Sequence, residues 1–314
     1  MTRVARHPSA RRVSLGWAAA AMLAPCLLLI TAGAARAQDN QPAVLPAGCT
    51  PQLPAPKHHP IDDTCGVKGD SPDSQPNHQA QNEVKNNLCA TGAPEDETHA
   101  SLAALQGKVD ANGVQYDRAN LPERTVFKDL GEGKVARIVA FVAKATYSNA
   151  VPRSDGTAGE SVNCDRPGNE NNDIHVVLAE ARGNSECASV TAEVIPHLRP
   201  AAWTPTAITA SNASKKPLRF TGQLFFDASH HPCKDGKSTD GPPRVSEWEI
   251  HPVYRIEVCT AASAAQCTID DDSVWTPLKA ARRAGHKTSK GKAARSKAPK
   301  PASPTPAPPA APNR

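Results

Sequence analysis

Aromatic side chains are scarce in this chain: four Trp, three Tyr and five Phe in 314 residues. Six of them, Trp203, Phe220, Phe225, Phe226, Trp248 and Tyr254, fall in one stretch. Phe225 and Phe226 sit in an apolar strand, where core packing is expected rather than a platform on which nucleic-acid bases stack. Short catalytic signatures are missing as well. No C-x-x-C pair occurs, which argues against zinc ribbons and thioredoxin-type redox chemistry. The H-E-x-x-H zinc motif, the G-x-S-x-G elbow and the P-loop are absent. G-E-G-K-V-A at 131–136 fits only the loosest dinucleotide pattern, and it runs into a strand instead of opening a helix. Acidic residues, finally, are absent from both ends. All 31 lie between Gln38 and Leu278, where they face 21 Lys and Arg for a formal charge of −10. A body of that charge is a poor partner for nucleic acid, whose phosphates dominate its affinity for proteins.

What is present at the ends is legible. Arg3, Arg6, Arg11 and Arg12 precede an apolar run from Leu15 to Ala32, and Ala35-Arg36-Ala37 is a small-x-small cleavage site. Residues 1–37 thus read as a secretory signal peptide and the protein as exported, periplasmic or extracellular. Residues 38–63 are rich in proline and read as an extended lead-in. Residues 279–314 carry ten Lys and Arg with no acid and no aromatic. That composition predicts a disordered basic tail, fit to attract anionic lipids or surface polymers. Setting aside Cys26 in the signal, eight cysteines remain, an even set that in an exported chain implies disulfides. Cys259 with Cys267 and Cys65 with Cys89 are the expected local pairs.

Between the ends, residues 64–278 read as one domain. Ala80, Val84 and Leu88 form the stripe of a short amphipathic helix. Thr98 is an N-cap for a second, with Leu102, Leu105 and Val109 on its apolar side. Strands are expected at 135–147, 174–181, 188–195, 217–227 and 248–259, with an irregular or helical connection near Pro200–Trp203 before the fourth. That order predicts a mainly β fold: an OB-like, five-stranded, partly open barrel, disulfide-supported and preceded by two short helices. Gly222 fits a place where the fourth strand of a barrel must bend or coil sharply. The fifth strand is expected to pair with the first. In W-E-I-H-P-V-Y-R-I-E-V-C it alternates Ile250, Pro252, Tyr254, Ile256 and Val258 with a wetter face.

Candidate chemistry lies on such wetter faces. Asp173 and His175 share a face at the start of the second strand, and Glu249 and His251 share one on the fifth. If the two pairs meet, two imidazoles and two carboxylates form a plausible divalent-metal set, with His175 and His251 as the nitrogen ligands. The plainer reading leaves both pairs bonded to backbone or water and requires no cofactor. His197, His230, His231 and the His58-His59 pair read as exposed loop histidines without a role, and Ser246 has no base at a fixed spacing.

The segments C-G-V-K-G (65–69), Q-N-E-V-K-N-N-L-C (81–89), N-N-D-I-H-V-V-L (171–178), R-F-T-G-Q-L-F-F-D (219–227) and W-E-I-H-P-V (248–253) resemble a group of exported bacterial proteins with no established reaction. The resemblance implies that helices and barrel form one unit, and it carries no catalytic residues. Two functions follow as expectations. One is an envelope-associated module that binds an unknown ligand at the barrel. The other is a metal-dependent hydrolase or nuclease-like enzyme built on Asp173, His175, Glu249 and His251.

Overall fold

In the computed structural model the described residues are 59–279, apart from 91, 118, 119, 121, 122, 149, 150, 155–157 and 198. The predicted signal peptide, most of the lead-in and the basic tail beyond Lys279 lie outside them. Helix α1 (Pro76–Lys85) is followed by a short strand β1 (Glu95–Glu97), helix α2 (His99–Asp110) and the single turn α3 (Thr125–Lys128). The barrel strands are β2 (Val135–Tyr147), β3 (Ile174–Ala179), β4 (Val190–Val194), β5 (Leu218–Phe226) and β6 (Trp248–Cys259). A helix α4 (Pro205–Thr209) lies between β4 and β5, and β7 (Trp275–Pro277) pairs with the end of β6.

The fold is mainly β, and its strands close into the expected five-stranded barrel. β2 pairs antiparallel with β3 and with β5, β3 with β4, and β5 with β6. The ring is completed by a parallel pairing of β4 with β6 at Ala192 and Ile250. The expectation that the fifth strand pairs with the first is therefore corrected: β6 lies between β5 and β4, and it is the fourth strand that meets the first. The helical connection starts later than the sequence suggests. Trp203 is buried ahead of α4, whose N-cap Thr204 accepts a hydrogen bond from Ala207 N at 3.1 Å.

Alternation is regular on β3 and β4 but breaks on β6. Ile250, Val253 and Ile256 all enter the main core, while Tyr254 points the other way. The slip falls beside the cis His251–Pro252 bond, where the β5–β6 register shifts around Gly222. A Cβ on Gly222 would stand 2.3 Å from the Pro252 carbonyl oxygen, so the close approach of β6 admits only glycine there. Tyr254 Oη donates to the Asn87 carbonyl at 2.7 Å and accepts from Ala90 N at 3.0 Å, tying the residues after α1 to β6.

Phe225 and Phe226 are buried as expected, and so are Trp203, Phe220, Trp248 and Tyr254. Phe226 stacks on Phe127 with centroids 4.1 Å apart, and Trp248 packs edge-on against both. Cys259 and Cys267 are bonded as expected. Cys65 is not bonded to Cys89: it pairs with Cys164, 99 residues away, and Cys187 pairs with Cys233. Cys89 is disulfide-bonded too. Short spacing misled at Cys65: the segment after it does lie on α1, where Asn82 and Asn86 donate to the carbonyls of Lys68 and Val67, but its sulfur meets Cys164 in the loop before β3. Among the described residues no helix is long and apolar enough to cross a membrane.

Candidate metal centre

The period-two rule places Ile174, Val176 and Leu178 of β3, Val190, Ala192 and Val194 of β4, and Trp248 and Ile250 of β6 in the apolar core. Asp173, His175, Thr191, Glu193, Glu249 and His251 must then point outward from the barrel. That outer face is not wet. Asp173, Glu193, Glu249 and His251 are fully buried and His175 is 8% exposed. Their cover comes from α1, the loop before β3 and the loop between β5 and β6.

The two predicted pairs meet, and β4 is the reason. His175 and Glu193 are cross-strand partners, and the parallel match of Ala192 with Ile250 sets Glu193 beside His251. Glu193 Oε1 lies 3.2 Å from His175 Nε2, and Oε2 lies 2.9 Å from His251 Nδ1. Glu160 Oε1, from the covering loop, is 3.4 Å from His175 Nε2. Asp173 Oδ2 is 3.9 Å from His251 Nε2, while Glu249 Oε1 sits 3.0 Å from His251 Nδ1.

Compensating cations arrive from the cover. Arg244, fully buried, donates to Glu249 Oε2 at 2.9 Å and has Asp227 at 3.8 Å and Glu193 at 4.0 Å. Lys85 of α1 reaches Glu160 Oε2 at 3.4 Å and Asp227 Oδ2 at 3.8 Å. This corrects the expected polarity of α1. The side that faces inward is Gln81, Asn82 and Lys85, continued by Asn86 after the helix, while Ala80 and Val84 are only half-buried. Gln223 of β5 fastens the helix by donating to the carbonyls of Val84 at 2.8 Å and His251 at 2.9 Å.

Burial alone would strip the charge from both central histidines. The carboxylates of Glu193 and, for His175, Glu160 outweigh it, raising His175 to about 9 and His251 to about 10. Burial likewise pushes Glu160 and Glu193 up, but Lys85 holds Glu160 down at about 2, and the two histidines hold Glu193 well below the carboxylate range. Asp173 and Glu249 go the other way, because burial and the neighbouring carboxylates both raise them.

Several of these close contacts are not aligned as hydrogen bonds. Both oxygens of Glu193, Asp173 Oδ2, Glu160 Oε1 and the Nε2 atoms of His175 and His251 are buried without a hydrogen-bond partner. Buried polar atoms are rarely left so. Among the described residues three sets of donors converge to within 4.8 Å: Glu160, His175 and Glu193; Asp173, Glu193 and His251; and Glu193, Asp227 and Glu249. The guanidinium of Arg244 already serves the third. The first two each offer two carboxylates and one imidazole, a donor set suited to Zn²⁺ or Mn²⁺.

The first set borders open space. Glu160 lines a polar cleft of about 330 Å³ with Lys85, Arg153 and His230, and His175 lines a second of about 260 Å³ that His230 also reaches. A larger hollow of about 450 Å³, beside Gln106 and Glu247, lies away from these donors.

Sequence reasoning named Asp173, His175, Glu249 and His251 but missed Glu193, although T-A-E in β4 carries the same outward alternation. It had no signal for Glu160 or Arg244, which sit in loops. The histidines it set aside are not idle. His197 is buried with Nδ1 2.6 Å from Asp62, which pins the end of the lead-in. His230 Nδ1 lies 2.6 Å from Asp227, and His231 Nδ1 lies 2.7 Å from Glu247. Ser246 donates to the Leu102 carbonyl at 3.0 Å, a structural role. No protein-family model, curated protein or solved structure matches this chain.

Proposed function

We propose that the chain is an exported, metal-dependent hydrolase of small anionic esters, with a divalent cation held by Glu160, His175 and Glu193 at the edge of the polar cleft. The observation that carries this reading is the convergence of buried donor atoms without hydrogen-bond partners on Glu193. Bound there, a divalent cation supplies Lewis-acid polarisation of an ester or phosphoryl oxygen. The chain's own residues do the rest. Lys85 and Arg153 place positive charge on the cleft wall, suited to a substrate anion. Asp227 fixes the His230 ring through Nδ1 and so aims its other nitrogen for proton transfer. A small ester is favoured over a nucleic-acid strand because the body carries −10. Export is supported by the signal-like N-terminus and by the disulfides among the described residues, bonds that persist in oxidising compartments.

The test is hydrolysis of p-nitrophenyl phosphate and p-nitrophenyl acetate by purified protein loaded with Zn²⁺ or Mn²⁺, with and without chelator. Chelator-sensitive turnover, lost in Glu193→Gln, is expected. Protein that binds neither ion and turns over neither ester overturns the reading.

A second reading, an envelope-associated binding module, draws support from Lys85 and Arg244. They already compensate part of the buried charge without any metal. On that reading the cleft binds its ligand without turnover, and the basic tail holds the protein at anionic surfaces. Deleting residues 279–314 should then abolish salt-sensitive binding to vesicles rich in anionic lipid; unchanged binding removes the tail from the account.

A further inference from the structure

We infer that Glu193 bridges two divalent cations, the second lying deeper, between Asp173 and His251. This rests on the reading of a cation at Glu193 and extends it from one ion to two.

The argument starts from register. β4 runs between β3 and β6, so its one outward carboxylate is flanked by an imidazole from each neighbour. The two oxygens of Glu193 are divided between them: Oε1 faces His175 and Oε2 faces His251. Neither contact is aligned as a hydrogen bond. Each imidazole has a further carboxylate of its own, Glu160 for His175 and Asp173 for His251. The result is two donor sets of the same composition, sharing a single bidentate group. That is the arrangement of two-metal sites, whose ions stand about 3.5–4 Å apart on a bridging ligand.

The surroundings support both sets, because the atom each ligand does not need is already occupied. Lys85 takes Glu160 Oε2 and leaves Oε1 unpartnered. Asn163 donates to Asp173 Oδ1 at 2.9 Å and leaves Oδ2. Glu249 engages His251 Nδ1 at 3.0 Å, the nitrogen that Glu193 Oε2 also approaches, and leaves Nε2 on the side of Asp173. Outer partners of this kind fix the orientation of metal ligands and set which imidazole nitrogen is available. Charge permits either occupancy. With neutral histidines, Glu160, Asp173, Glu193, Asp227 and Glu249 against Lys85 and Arg244 leave −3, so one divalent ion gives −1 and two give +1. Geometry decides, and it offers two sets of the same donor types, each converging to within 4.8 Å.

The experiment strips the full chain with chelator, reloads it with Mn²⁺, desalts it and counts manganese per chain by mass spectrometry, with electron paramagnetic resonance on the same samples. Two ions per chain with an exchange-coupled spectrum are expected. The near-isosteric variants Asp173→Asn and Glu160→Gln should each fall to one ion with an uncoupled signal, and Glu193→Gln should lose both. Circular dichroism checks that each variant is folded, and His251→Gln repeats the Asp173 test from the other ligand. One ion in the parent chain, unchanged by both Asp173→Asn and His251→Gln, overturns the bridge while leaving the cleft site standing. No bound ion in the parent chain overturns the bridge and the proposed function together.

Discussion

Along β3, β4 and β6 the inward side chains are Ile174, Val176, Leu178, Val190, Ala192, Val194 and Ile250, and the outward ones are Asp173, His175, Glu193, Glu249 and His251. Both sets are buried. The inward face needs no specific partner, since each Leu, Ile or Phe removed from water contributes about 1.5–3 kcal/mol whatever apolar group it meets. The outward face is the reverse. Each buried ion carries a desolvation cost of several kcal/mol, so every member needs a partner of opposite charge or a hydrogen bond. Burial on the first face explains stability. On the second it works against stability, and its persistence directs attention to binding.

The largest expected effect tests the cover of the outward face. The Cys65–Cys164 disulfide closes a loop of 99 residues and ties the segment ahead of α1 to the loop that carries Glu160. Replacing both cysteines by alanine should lower stability by about 4–5 kcal/mol, measured by urea denaturation. Loss of manganese binding in the still-folded variant would show that the cover positions Glu160. Next come two substitutions that set the faces against each other. Arg244→Ala removes the guanidinium from Glu249 and Asp227 and should cost about 3–5 kcal/mol. Phe226→Ala empties the stack on Phe127 and should cost about as much, about 3–5 kcal/mol. Only the first should also alter metal content; a silent Arg244→Ala would break the contrast between the faces.

A smaller effect belongs to Tyr254. Tyr254→Phe deletes the hydroxyl shared by the Asn87 carbonyl and Ala90 N, and should cost about 1–2 kcal/mol. The smallest lies at the half-buried Asp70. Burial, and then the neighbouring Asp165 carboxylate, raise its folded pKa to about 6, above its unfolded value near about 4. The folded state therefore holds the proton over a range where the unfolded chain has released it, so stability falls as pH rises from about 4 through about 6. Asp70→Asn should stabilise the protein above about pH 6, by at most about 1 kcal/mol after solvent screening, and have little effect at pH 4. Melting temperatures at pH 4 and pH 8 read the difference.

Much of the barrel was legible because strand periodicity is local: Val135–Tyr147 and Trp248–Cys259 match the expected limits residue for residue. Gly222 was singled out as a bend in its strand, and the structure adds the close approach of the Pro252 carbonyl oxygen. The candidate site was half legible. Asp173 with His175 and Glu249 with His251 each share a face by spacing, but Glu193 joins them only through the registers of β4 with β3 and β6. The lysine of Q-N-E-V-K-N could not be assigned to the site, because an apolar stripe on α1 was expected to face inward. Cys164 was no easier to match with Cys65, since 99 residues separate them.

By itself the sequence determined the succession of strands, the face that Asp173 shares with His175 and Glu249 with His251, and the exclusion of several common catalytic motifs, because these depend on residue types and a period of two. Tertiary structure alone decided that the outward face is covered, that α1 covers it with Gln81, Asn82 and Lys85, and that Glu193 stands between two histidines. Alternation tells which way a side chain points. Whether water or another segment meets it there depends on contacts between residues far apart in the chain, and no local pattern encodes them.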